Sequence, residues 1–196
     1  MPFNHVAYAA SDIEATHDFY TRVMGFRLLK TNVTPTPTGG WSRHVFYDTG
    51  NGEMIAFWDL HDDAMSGFKV DHAQSLGLPV WVNHVAFDAP TREALDAHRC
   101  RWQENGIEVL EIDHEWCVSI YATDPNGIMV EFCWLTRPFT AEEIAESVPL
   151  LRSKSPPFDD TGKISVHKPL SKAPDGDPRS VHLAVDVDAD AGNASR

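Results

Sequence analysis

A chain of 196 residues with 42% hydrophobic content can bury one sizeable core, and its length predicts one domain or two small ones. The net charge of -13 repels phosphate backbones and anionic membrane surfaces, so neither a nucleic-acid nor a membrane partner is expected. The N-terminus has no basic region or apolar run, and no stretch approaches the roughly 18 apolar residues of a membrane span. Cys100, Cys117 and Cys133 lack the spacing of a disulfide framework, so the expected compartment is the reducing cytoplasm.

In chain order, Asn4-His5-Val6-Ala7-Tyr8-Ala9-Ala10 reads as a short strand. A helix over Ser11 to Met24 follows, with Ser11 as N-cap, Glu14 completing a capping box, and an apolar face of Ile13, Phe19, Tyr20 and Val23. Gly25 is placed to end it. Strand-like runs cover Arg27 to Lys30, Ser42 to Tyr47 and Glu53 to Trp58, the last two joined at Asn51-Gly52. Asp59 to Val80 separates this first run of elements from the next.

The pattern then returns. Asn83-His84-Val85-Ala86-Phe87-Asp88-Ala89 repeats the first strand. Pro90 to Glu104 repeats the helix, with Leu95, His98 and Trp102 at helical spacing and Gly106 at its end. Glu108 to Ile112, Cys117 to Ala122 and Ile128 to Trp134 repeat the strands, with Asn126-Gly127 at the last hairpin. Each copy is a β-α-β-β-β unit, so the chain is an internal duplication. Beyond it, Thr140-Ala-Glu-Glu begins a helix with a capping box. The rest is rich in Pro, Asp, Ser and Gly and is expected to be largely irregular, with Val181 to Val185 as a possible edge strand.

The repeat resembles the vicinal oxygen chelate superfamily, which includes glyoxalase I, fosfomycin- and bleomycin-resistance proteins and type I extradiol dioxygenases. The resemblance covers roughly residues 3 to 135. It implies an α+β fold in which two paired βαβββ modules (about 3–60 and 81–135, within a domain 1–138) curl a mixed sheet around a metal cleft. A C-terminal helix and tail (139–196) follow. It also implies a homodimer or other homo-oligomer.

In that superfamily the metal ligands come from the first and last strands of each module. The matching positions here are His5, His84 and Glu131, and aligning the two Asn-Gly turns puts Ala56 at the fourth. A methyl group cannot coordinate, and Glu53 falls on the opposite strand face. This disfavours a four-ligand, glyoxalase I-type centre. Two histidines and one carboxylate form the open facial triad of non-haem Fe(II) oxygenases.

The second hairpin permits a register prediction. If Asp124-Pro125-Asn126-Gly127 is a type I turn followed by a left-handed glycine, Asp124 pairs with Ile128 and Tyr121 lies opposite Glu131. The same turn in the first module would put Phe46 opposite Ala56.

Val118 to Trp134 is similar to the corresponding stretch of extradiol dioxygenases, which carry a tyrosine ten residues before the glutamate ligand. The resemblance implies that Tyr121 bonds a substrate or metal-bound oxygen. It also implies that His72, in the loop before the second ligand strand, acts as general acid or base. A second-sphere histidine of that family falls at Ile112 here, with His114 two residues on. The expected protein is therefore an Fe(II)-dependent extradiol-type dioxygenase acting on a small aromatic diol with O2, with Mn(II) as the alternative metal. The other readings are a metal-dependent lyase, isomerase or thiol transferase on the same scaffold, and a non-catalytic small-molecule binder.

Overall fold

The computed structural model describes residues 3–159 and 162–170. The first module runs β1 (His5–Ala9), α1 (Ile13–Asp18), β2 (Arg27–Pro35), β3 (Trp41–Gly50) and β4 (Glu53–His61). Three single 3-10 turns occupy the linker. The second module runs β5 (His84–Asp88), α2 (Arg92–Glu104), β6 (Val109–Asp113), β7 (Cys117–Thr123) and β8 (Met129–Leu135). Then come α3 (Ala141–Arg152) and β9 (Lys163–His167). No helix of the described residues is long and apolar enough to cross a membrane.

The sheets repeat like the sequence. One has the order β1-β4-β3-β2, the other β5-β8-β7-β6-β9. In both, the first strand lies parallel to the last strand of its module and all other pairs are antiparallel. The β-α-β-β-β reading holds, and the boundaries differ where side chains override local pattern. The N-cap of α1 is Asp12, whose carboxylate accepts from the amides of Glu14 and Ala15, and not Ser11. The amide of Ser11 is instead bonded to Asn126 Oδ1 at 3.0 Å. After Asp18 the first helix widens to a π turn over Phe19–Val23, seen in the bond from Met24 N to Phe19 O. Gly25 and Gly106 both take left-handed φ values of 81° after their helices. The Thr140/Glu143 capping box forms as expected. β9 falls in a stretch expected to be irregular, where it extends the second sheet beside β6. The suggested strand at Val181 to Val185 lies outside the described residues.

The hairpin registers carry the site geometry. Asp124 N donates to Ile128 O, Gly127 N donates to Asp124 O, and Gly127 has φ 77°. Tyr121 consequently pairs with Glu131. The first module reaches the equivalent register by a different turn. Asn51 and Gly52 are both left-handed, Gly50 pairs with Glu53, and a register shift between Asp48 and Gly50 brings Phe46 opposite Ala56.

One core joins the modules. Phe19, Tyr20, Tyr47, Ile55 and Phe57 of the first pack in the same cluster as Leu95, Trp102, Ile120 and Phe132 of the second. Tyr20 donates to Asp124 at 3.1 Å, Phe26 meets Phe87 edge-on at 4.9 Å, and Arg101 donates to the Met24 carbonyl at 3.1 Å. Because successive strand residues point to opposite faces, this core dictates what the other faces carry. Val6, Tyr8, Val85 and Phe87 pack against the core, so His5 and His84 face the other way. Ile55 and Phe57 lie in it, as do Val130 and Phe132, so Ala56 and Glu131 are likewise on the outer faces.

Candidate metal centre

The second module assembles two of the three expected ligands. His84 Nε2 lies 3.1 Å from Glu131 Oε2, the histidine partly exposed and the glutamate 5% exposed. An ionised carboxylate that deep is costly unless paired or on a metal. His84 Nδ1 is 2.9 Å from the Trp81 carbonyl, an acceptor that fixes a proton on Nδ1 and leaves Nε2 as the ring atom that faces Glu131. Metal-bound histidines are held this way, with the far ring nitrogen tied to an acceptor.

His5 shows the same preparation on the other sheet. Its Nδ1 lies 2.8 Å from Asn4 Oδ1, which leaves Nε2 free. Its neighbours, however, are His44 and Phe46, with ring centroids 6.1 and 5.5 Å away. Among the described residues no three His, Cys, Asp or Glu side chains gather closely enough to hold a metal ion. Each ligand-bearing face looks away from the shared core, so one chain brings His84 and Glu131 together and leaves His5 apart. Each face is half of a donor set whose chemistry fits a divalent ion: imidazole with free Nε2, and a buried carboxylate.

Tyr121 lies beside the pair, as the register requires. Its ring centroid is 6.5 Å from that of His84, and its hydroxyl is 3.1 Å from His114 Nε2. Burial, with the Glu131 charge adding to it, pushes the Tyr121 phenol well above its ordinary range, so it stays protonated. His114 thus reaches the tyrosine despite its two-residue offset, because the turn after β6 swings it back over β7. Ser119 and Cys133 share this face with Cys117, whose thiol is raised above its ordinary range by burial, with Cys133 adding to it.

His72 packs edge-on against Tyr8 at 5.1 Å. It lines a cavity of about 500 Å³ together with Tyr8, Ser75, Leu76, Val82, Asn83, His84 and Ile128. His72 and His84 therefore border one space. Ala56 is fully buried at the position matching Glu131, and Glu53 accepts from the Phe3 amide at 3.2 Å. No donor replaces the missing one from β4.

Sequence reasoning missed His44. It stacks on Trp58 at 3.8 Å and lies against Phe46 at 4.1 Å. Burial, with His5 adding to it, lowers its pKa and keeps the ring neutral. The available signal was its place two residues before Phe46, which puts it on the same face as Ala56.

The comparisons with known proteins agree with this architecture. A domain described as glyoxylase/bleomycin resistance protein/dioxygenase from Frankia sp. EAN1pec is 15% identical, with a TM-score of 0.53, over 69% of this chain and 98% of its own. A lactoylglutathione lyase from Agrobacterium tumefaciens is 23% identical, with a TM-score of 0.45, over 68% and 92%. The fosfomycin resistance protein FosX from Listeria monocytogenes is 17% identical, with a TM-score of 0.46, over 73% and 97%. No curated protein matches. At these identities the Frankia domain shows the shared fold alone. The family model Glyoxalase/Bleomycin resistance protein/Dioxygenase superfamily matches residues 3–132, from the strand that carries His5 to the strand that carries Glu131. The duplicated βαβββ chain belongs to that superfamily, whose members include metal-dependent enzymes and non-catalytic proteins.

Proposed function

We propose that this protein is an Fe(II)-dependent, extradiol-type dioxygenase-like enzyme acting on a small aromatic diol, its metal held by His84 and Glu131 of one copy and by His5 of a second. The observation that carries the reading is the 3.1 Å His84–Glu131 pair beside Tyr121, whose hydroxyl is itself 3.1 Å from His114. A metal-only scaffold site needs no such phenol–imidazole pair. A reaction that moves a proton off a substrate hydroxyl uses both.

When bound, the metal supplies Lewis acidity to two vicinal substrate oxygens and open positions for O2. The chain's own groups do the rest. Tyr121, held protonated, donates a hydrogen bond to a substrate oxygen, and His114 fixes the direction of its hydroxyl. His72 borders the same cavity as His84, where an imidazole can accept a proton from an incoming diol and return it later. Phe46, beside His5, offers aromatic surface to a ring substrate. The methyl group at Ala56 supports a set of three ligands, from β1, β5 and β8, and an open metal. Mn(II) fits the same donors, and the metal is assigned by content after purification.

The test is anaerobic purification, Fe(II) loading and oxygen uptake with a panel of catechols and hydroquinones. The proposal expects about one metal per chain and substrate-dependent oxygen consumption. A metal-loaded protein that consumes no oxygen with any member of the panel would refute the dioxygenase assignment. A protein that retains no metal would refute the centre itself.

A further inference from the structure

Tyr8 carries a hydroxyl that packing does not require. In the repeat it stands where Phe87 stands, and the two rings hold matching places: Tyr8 pairs with Phe57 of β4, and Phe87 with Phe132 of β8. Both pack against the shared core. A phenyl ring therefore suffices at this strand position, and the hydroxyl is an addition found in the first module alone. It has no hydrogen-bond partner among the described residues. Burial, with the Asp124 charge adding to it, raises the phenol above its ordinary range, so it keeps the proton it can donate.

Tyr8 lines the cavity of about 500 Å³ that His84 also borders. That volume is in the range of sites that hold small organic ligands. Leu76, Val82 and Ile128 supply apolar wall, and none of the lining residues is a lysine, arginine, aspartate or glutamate. The polar groups of the loop are already engaged: the Ser75 hydroxyl donates to the Asp71 carbonyl, and the Asn83 amide donates to the His72 carbonyl at 3.1 Å. Tyr8 is left as the hydroxyl with a proton to give. A carboxylate placed here would lose hydration without meeting a fixed cation, and it would meet the Asp124 charge that already acts on Tyr8. An uncharged carbonyl or ether oxygen meets neither penalty.

We propose that this cavity is a subsite for an uncharged, oxygen-bearing substituent of an aromatic substrate, selected by a hydrogen bond from the Tyr8 hydroxyl, and that it disfavours rings bearing a carboxylate. This deepens the function proposed above and rests on it for the diol part of the substrate. Because His84 borders the cavity, a substituent held there extends from a ring beside the proposed ligand.

The experiment uses full-length protein loaded with Fe(II) under anaerobic conditions and measures binding of three probes by calorimetry: catechol, 3,4-dihydroxyacetophenone and 3,4-dihydroxybenzoate. The parent should bind the acetophenone on the order of tenfold more tightly than catechol, the range for one added hydrogen bond with some apolar burial, and the benzoate no more tightly than catechol. Tyr8→Phe, which copies the residue of the second module, should leave catechol binding unchanged and abolish most of the preference for the acetophenone. Should that variant fold poorly, Leu76→Trp narrows the cavity from a 3-10 turn where Leu76 is 72% exposed, and it should have the same effect. A parent without the preference, a parent that favours the benzoate, or a folded variant that keeps the parent's preference would each overturn the inference. A metal-loaded parent that binds no catechol at all would remove the proposed function and this inference together, whereas catechol binding without the Tyr8-dependent preference removes the inference alone.

Discussion

At the scale of single residues, the site depends on which atom of each imidazole is free. Trp81 and Asn4 occupy the Nδ1 atoms of His84 and His5, so both present Nε2. Removing one donor from a three-ligand set leaves two, so His84→Ala should lose its metal during chelator-free purification, read by metal analysis. Full occupancy would exclude His84 as a ligand. Tyr121→Phe retains ring and packing but loses the hydroxyl. It should keep metal and lower turnover by an amount on the order of tenfold to a thousandfold. His114→Phe should reproduce part of that loss if it orients the phenol, and parent-like turnover in both variants would make the pair structural. Glu131, His84 and Tyr121 were legible in sequence because the repeat and one turn fix their register. His114 and His44 were less so, because a turn swings one back and the other is visible only once the neighbouring strand is paired.

At the scale of elements, tertiary contacts decide what local pattern leaves open. Ser11 reads as a cap, yet its amide is taken by Asn126, and the carboxylate of Asp12 caps the helix instead. Asn126, 2% exposed, also donates to Thr16 at 3.1 Å and so ties the second hairpin turn to the first helix. Asn126→Ala should therefore cost about 1–3 kcal/mol in denaturant unfolding, the range for leaving buried partners unsatisfied. A loss within 0.5 kcal/mol would show that the clamp is dispensable. The helices were legible from their spacing and glycines. The π turn and β9 were not, because each depends on packing: the first on Phe19, Tyr20 and Val23 all entering the core, the second on a free edge at β6.

His98 on α2 gives an element-scale pH effect. It stacks on Phe132 at 3.7 Å, and burial, with Arg101 adding to it, lowers its pKa to about 4. A histidine whose pKa is lower folded than unfolded contributes stability that is present above its ordinary value near 6.5. That stability is lost as pH falls toward 4, because the unfolded chain takes the proton first. His98→Phe keeps the stack and removes the titration. The stability difference between variant and parent should shift in favour of the variant as pH falls from about 6.5 to 4. A constant difference across that window would mean that His98 titrates normally.

At the scale of the molecule, both sheets put their helix-covered faces into one core, so the ligand-bearing faces point outward. That arrangement was not legible in sequence. The repeat shows that two modules exist and which residues share a face, but the packing of Tyr20, Phe26, Phe57 and Phe132 sets how the modules meet. Apolar groups are exposed on the edge strand β2 and in the turn before β5, with Val33 63% and Trp81 61% exposed, which suits burial against a second copy. In the proposed centre, His5 of one copy completes the ligand set of another. His5→Ala and Glu131→Ala each lack a ligand, so neither homodimer has a complete site. A mixed dimer has one intact site, formed by His5 of the Glu131→Ala chain with His84 and Glu131 of the His5→Ala chain. The measurement is metal content of the purified mixed dimer, its chains carrying different affinity tags. A shared site gives about one metal per mixed dimer and none in either homodimer, whereas a mixed dimer as empty as its parents would rule a shared site out.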